Sequence, residues 1–237
     1  APPRSIAAFD HARLNSMKSD LKAPVEKVLC GTVLANIYQD FQQGKRYVAG
    51  TDTSHGIGAD DAVTAVVDVV TGYVVADIKT ALLPPEGLAE ASVKLLSRYD
   101  SPIWGIEDNE WGAVTLAAAQ GLRYPRLYYR DEAKPGWHTD ERSRYFLWND
   151  LIEAVSSRLI TVPSAEGLAQ FYGVIRNPEK NGRIEAQKGG HDDYPVAVGI
   201  AWQLRKYARP AGQGMGVARQ FTIGAGRRRR GRGFVRW

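Results

Sequence analysis

The chain has 237 residues, 44% of them hydrophobic and 24% charged, which suits one large or two small globular domains with a real core. A single cysteine, Cys30, excludes an internal disulfide and fits a reducing compartment, and no apolar run approaches the ~20 residues of a membrane-spanning helix. The net charge of +5 belongs to one end: Ala208 to Trp237 carries eight arginines and no acid or lysine, which leaves the rest of the chain at −3.

The first 45 residues read as helical or irregular, with Cys30 a small buried apolar residue in "EKVLCGTVLANIY". The opening "APPRSIAAFDHARLN" has no signal-peptide pattern and no initiator methionine, so a piece of a longer protein is expected. "RYVAGTD" is a short apolar strand that ends in Asp52. "DAVTAVVDVV", the turn Thr71-Gly72 and "YVVADIKT" form a β-hairpin, since β-branched residues flank a short turn with glycine. "LPPEGLAEASVKLLSRYD" starts a helix near Pro85, with Leu88, Ala91, Leu95 and Leu96 on one face. "SPIWGIED" is a strand, "EWGAVTLAAAQG" a helix stopped by Gly121, and "YPRLYYR" a further strand.

"TDERSRYFLWNDLIEAVSSR" is a long amphipathic helix with Thr139 as its cap. "LITVPSAEGLAQFYGVI" gives a short strand and a helix from Ser164. "RNPEKNGRIEAQKGG" reads as a hairpin tip or loop at Asn181-Gly182. "HDDYPVAVGIAWQLRKY" is the last helix, with Pro195 tolerated in its first turn. Strands that pair antiparallel are thus followed by helix, strand, helix, strand. This is an α/β fold with a mixed sheet flanked by helices. The tail "GAGRRRRGRGFVRW" has no apolar periodicity and is expected to be disordered, either a phosphate-binding arm or a solubilising end.

Three acidic clusters lie at the ends of regular elements: Asp52, then Glu107 with Asp108, then Asp192 with Asp193. Each alone also reads as a turn or cap residue. Sites in open α/β sheets form at the carboxyl ends of strands, where these acids would meet. Converging carboxylates stay ionised only with cations between them. Oxygen-only ligands suit two Mg²⁺ or Mn²⁺ ions rather than zinc, and such a pair of ions can grip a phosphodiester. The four histidines, His11, His55, His138 and His191, are dispersed and show no zinc spacing.

"YVAGTDTSHGIGADDAVTAVVD", "GIEDNEWG" and "GRIEAQKGGHDDYPVAVGIA" resemble the three nuclease motifs of the large terminase subunit of tailed bacteriophages, over roughly residues 40 to 207. The resemblance implies a ribonuclease-H-like fold and a two-metal endonuclease that cuts concatemeric double-stranded DNA during genome packaging in the host cytoplasm. It makes Asp52, Glu107 and Asp193 the metal ligands, Asp192 a supporting or alternative ligand, and Asp60 an outer ligand or a brace for the turn. It also implies an ATPase motor, a portal and a small terminase subunit as partners. No G-x-x-x-x-G-K-[ST] loop occurs, so the chain is expected to be the nuclease half. In that arrangement residues 1–45 are a linker end, 46–207 the nuclease domain and 208–237 a basic tail.

Lys188 in "QKGG", with Arg176, Lys180 and Arg183 in the preceding loop, could contact phosphates or serve solubility alone. His191 reads either as a hydrogen-bonding group near the metals or as a cap of the last helix, and His55, similarly placed after Asp52, is expected to be exposed. Trp104, Trp111, Trp148 and Trp202 fall in regular elements and are assigned to core or interfaces. Two rival functions fit parts of the sequence. One is a non-catalytic DNA-binding module acting through the arginine tail. The other is an actin-like phosphotransferase, because "GTDTSHG" resembles the first phosphate motif of that class.

Overall fold

The computed structural model describes residues 6–54, 56–58 and 60–211; His55 and the tail from residue 212 onward, with the readings placed on them, lie outside the described residues. β1 (Glu26–Cys30), β2 (Val33–Ile37), β3 (Tyr47–Asp52), β4 (Ala62–Asp68), β5 (Val74–Thr80) and β6 (Ile103–Ile106) form one sheet in the order β1-β2-β5-β4-β3-β6. Neighbours are antiparallel except β3 and β6, which are parallel. The expected mixed sheet, antiparallel over its first three predicted strands and then parallel, is therefore present.

β3 and β4 are buried at every position, which requires cover on both faces. α2 (Pro85–Ser97) and α3 (Glu110–Gly121) cover one face, against Ala49, Val66 and Ile78. α1 (His11–Met17), α4 (Glu141–Ser156), α5 (Ala165–Gly173) and α6 (Asp193–Gln203) cover the other, against Val48, Val63 and Val67. Trp104, Trp148 and Trp202 are core residues, as their positions in regular elements indicate.

Four local readings are corrected. Residues 26–37 are neither helical nor irregular: β1 and β2 form a hairpin on the edge of the sheet. Its burial is sparse, so the apolar alternation is weak, and the turn rests on Gly31 at φ +62°. "YPRLYYR" forms no full strand, only isolated bridges: Leu127 lies parallel to Trp104 on the outer edge of β6, and Tyr129 bridges Pro135 and Gly136. The strand expected near Thr161 is likewise one bridge, to Tyr73. α4 is capped by Asp140 in a capping box with Ser143, not by Thr139. Ser164 caps α5 as expected, and Asn181-Gly182 is the tip of a hairpin between β7 (Val174–Asn177) and β8 (Arg183–Ala186).

A buried acid fixes the start of α6. Asp77 on β5 is 1% exposed; Asn36 Nδ2 donates to its Oδ1 and Tyr194 Oη to its Oδ2, each at 2.8 Å. Burial raises the Asp77 pKa, and these donors oppose that rise. Tyr194 directly follows Asp193, so the bond from Tyr194 to Asp77 ties the acidic end of α6 to the sheet.

Candidate active site

Side chains alternate along a strand, so Val48, Gly50 and Asp52 share one face of β3. That face meets α6. A Cβ built on Gly50 would lie 2.1 Å from the Ala197 carbonyl oxygen and 2.6 Å from Ala201 N. From Gly50 to Asp52 the strand advances about 6.7 Å, and from Ala197 back to Asp193 the helix advances about 6 Å. The contact at Gly50 therefore carries Asp193 to the level of Asp52.

Glu107 arrives from the other side. β6 pairs Thr51 with Ile106, and Glu107 N donates to the Thr51 carbonyl at 3.0 Å. Glu107 thus stands beside Asp52, on the same face as Gly105, which meets Ile200 of α6 and Leu204 just after it. Asp52 is 8% exposed and Glu107 9%.

The electrostatics record the convergence. The Asp52 pKa is raised well above the carboxylate range, first by burial, then by the charge of Glu107 and a hydrogen bond with it, then by Asp193 and Asp192. Asp193 is pushed up to about 7, chiefly by burial and by Asp192; His191 opposes the shift. Asp192 is raised by burial against the opposing charge of Arg144. Asp192 Oδ2 accepts from Ala186 N at 3.2 Å and lies 3.9 Å from Arg144. Asp193 Oδ2 is buried without a hydrogen-bond partner; His191 Nδ1 is 3.6 Å away.

The acids do not close into a preformed cage: among the described residues, no group of three or more Asp, Glu, His or Cys stands at metal-holding spacing. The donor set still suits a hard divalent cation. It is all oxygen, and the orphaned Asp193 Oδ2 is a buried acceptor without a donor.

Supporting groups surround Glu107. Asn109 Nδ2 donates to its Oε2 at 2.8 Å, and Thr139 Oγ1 donates to its Oε1. Thr53 Oγ1 donates to Asn109 Oδ1 at 2.9 Å. Asn109 directly follows the acids of "GIEDNEWG". Thr139, expected as the helix cap, is free for Glu107 because Asp140 caps α4. Asp108 takes no place among the four acids: it accepts from Arg130 at 2.7 Å and lies 2.8 Å from His138 Nδ1.

Asp60 is exposed at 71% of its side chain, 3.8 Å from His191 Nδ1, and it contributes to the shift of Asp193. Its neighbour Asp61, not singled out in the sequence, is more buried and pairs with Lys79 at 2.8 Å. Arg176, Lys180 and Arg183 gather on the β7–β8 hairpin, whereas Lys188 sits apart in the exposed turn before α6.

No family model and no curated protein sequence matches the chain. Solved structures do. The large terminase nuclease of the thermophilic phage G20c with bound magnesium superposes with a TM-score of 0.66 at 14% identity, covering 85% of this chain and 98% of that one. The same G20c nuclease is also matched with bound cobalt and with bound zinc. The nuclease domain of the Thermus phage P74-26 large terminase gives a TM-score of 0.60 at 18% identity, covering 81% and 94%. The large terminase of bacteriophage HK97 gives 0.52 at 8% identity, covering 83% of this chain but 43% of that one. At these identities the shared property is the fold: this chain has the ribonuclease-H-like fold of the phage large-terminase nucleases.

Proposed function

We propose that the folded unit, whose sheet and covering helices also take in α1, β1 and β2 ahead of residue 46, is a divalent-metal-dependent DNA endonuclease that cuts concatemeric viral DNA during genome packaging in the host cytoplasm. One observation carries the reading: Asp52, buried at the end of β3, lies under the combined charge of Glu107 from the parallel neighbour β6 and Asp193 from the start of α6. Asp52, Glu107 and Asp193 would hold the ions, with Asp192 as the alternative to Asp193 and Asp60 as an outer ligand. A pair of Mg²⁺ or Mn²⁺ ions, when bound, supplies the charge that activates water and steadies the leaving oxygen. The G20c nuclease with bound magnesium supports that choice, and the same nuclease is also solved with bound cobalt and with bound zinc.

The chain's own residues set the geometry. Thr139 and Asn109 hold both oxygens of Glu107, and the Tyr194–Asp77 bond holds the helix that carries Asp193. Arg176, Lys180, Arg183 and Lys188 are exposed cations that would meet the phosphates of double-stranded DNA, a contact that carries no base preference. This chain corresponds to under half of the HK97 large terminase, which accords with a nuclease portion working beside an ATPase motor, a portal and a small subunit. Among the described residues no helix is long and apolar enough to cross a membrane.

The test is conversion of supercoiled plasmid to nicked and linear forms. Cutting is expected with Mg²⁺ or Mn²⁺, to stop in excess chelator, and to return when the metal is restored. Cutting that persists in chelator would overturn the reading. Thr139→Val is expected to slow cutting about 10- to 100-fold with little change in melting temperature, because it frees one oxygen of Glu107 without opening the core. Unchanged rates would show that Thr139 does not position Glu107.

A further inference from the structure

Between the start of α4 and the tip of the β7–β8 hairpin lies a cavity of about 560 Å³. Arg144 on α4 and Arg176, Lys180 and Arg183 on the hairpin line it, together with the acids Asp140 and Glu141 at the start of α4. Asp140 is engaged as the cap of α4. Lys180 and Arg183 approach Glu185 at 2.8 and 3.5 Å, yet both side chains stay more than half exposed. The groove is net cationic and open to an anion.

Its aromatic side is Trp148 and Tyr145. Trp148 is buried with Nε1 unpartnered, and the Arg144 guanidinium, whose Nε is also unpartnered, lies 5.9 Å over its ring. Tyr145 is 65% exposed and packs edge-on against Phe146, itself 48% exposed. The core does not explain two large rings exposed side by side on this helix. The groove adjoins the candidate catalytic acids through two of its lining residues: Thr139 donates to Glu107, and Arg144 stands 3.9 Å from Asp192.

Exposed aromatic rings among cations are the means by which proteins hold unpaired strands, whose base faces are free to stack. A duplex offers phosphates but no free base faces along its length, and a cavity of this size takes about one or two nucleotides of a strand. We propose that this groove binds an unpaired DNA strand leading to the catalytic acids, Tyr145 stacking on a base and the hairpin cations contacting its phosphates. The inference rests on the nuclease reading for where the strand leads.

The test uses the full chain carrying Asp52→Asn, in chelator, with labelled oligothymidine and a blunt duplex of equal length as probes in fluorescence anisotropy. The arginine-rich end attracts any polyanion, so the readout is the difference between probes. Tyr145→Ala is expected to weaken oligothymidine binding about tenfold and leave duplex binding unchanged, and Tyr145→Trp to restore it. Equal losses for both probes, no loss for the single strand, or no rescue by tryptophan would overturn the proposal. Binding is read without metal or cutting. Its failure leaves the nuclease reading standing, and a failure of plasmid cleavage leaves the groove standing.

Discussion

Asp52→Asn is expected to move stability and activity in opposite directions. In chelator the variant should melt a few degrees above the wild type, and with metal it should cut plasmid about a thousandfold more slowly. Both effects have one cause. Asp52 is buried against Glu107 and under the charges of Asp193 and Asp192, so ionising it in the fold is unfavourable. Asparagine keeps the shape and the oxygen that accepts from Thr53 N, and removes the charge. That charge is what a cation would require. The pH dependence follows with a definite sign. Asp193 takes its proton at about 7 in the fold and near the ordinary carboxylate value, about 4, when unfolded. Its contribution is full below about pH 4 and is lost as pH rises through about 7, and Asp52 acts in the same direction. In chelator the wild type should therefore melt lower at pH 8 than at pH 5, and Asp52→Asn should flatten part of that fall. Added Mg²⁺ should raise the wild-type melting temperature more than that of the variant. A variant that melts no higher than the wild type in chelator, or that cuts as well, would remove Asp52 from the centre.

The acids were legible in the sequence because each ends an element whose apolar pattern was strong. β3, β4 and β5 are rich in valine, alanine and isoleucine, and their order fixed where Asp52 would stand. Glu107 followed from the compact strand "PIWGI", and the Asp192–Asp193 pair from the helix it opens. The β1–β2 hairpin was not legible, because an edge hairpin with one sparsely buried face shows little alternation. Neither was the role of Thr139. A threonine before "DERS" has the local chemistry of a cap, and only the tertiary structure shows that Asp140 caps α4 while Thr139 serves Glu107. The Tyr194–Asp77 bond joins residues 117 apart, and no local pattern announces it. The approach of α6 to β3 at Gly50 was hidden for the same reason: a glycine in a strand signals close approach without naming what approaches.

That approach makes Gly50→Ala the second large effect. The added methyl group would sit 2.1 Å from the Ala197 carbonyl oxygen and 2.6 Å from Ala201 N. Both are backbone atoms of α6 and cannot rotate aside as a side chain would. Either the helix lifts from the sheet or the strand shifts, and inserting one methyl into such packing costs typically 1–3 kcal/mol and sometimes more; with two backbone atoms in the way, about 3 kcal/mol or more is expected. The displaced helix carries Asp192 and Asp193, so the fraction that stays folded should also cut poorly. Gly121→Ala is the control. It lies at the end of α3 with nothing within 4 Å of an added Cβ, and it should leave denaturant midpoint and cutting rate near wild type. Urea unfolding and plasmid cleavage on the two variants separate the outcomes. If Gly50→Ala keeps wild-type stability and activity, α6 does not press on β3 at this point. Asp193 would then lose the contact that carries it to the level of Asp52, and the centre would have to be built from other residues.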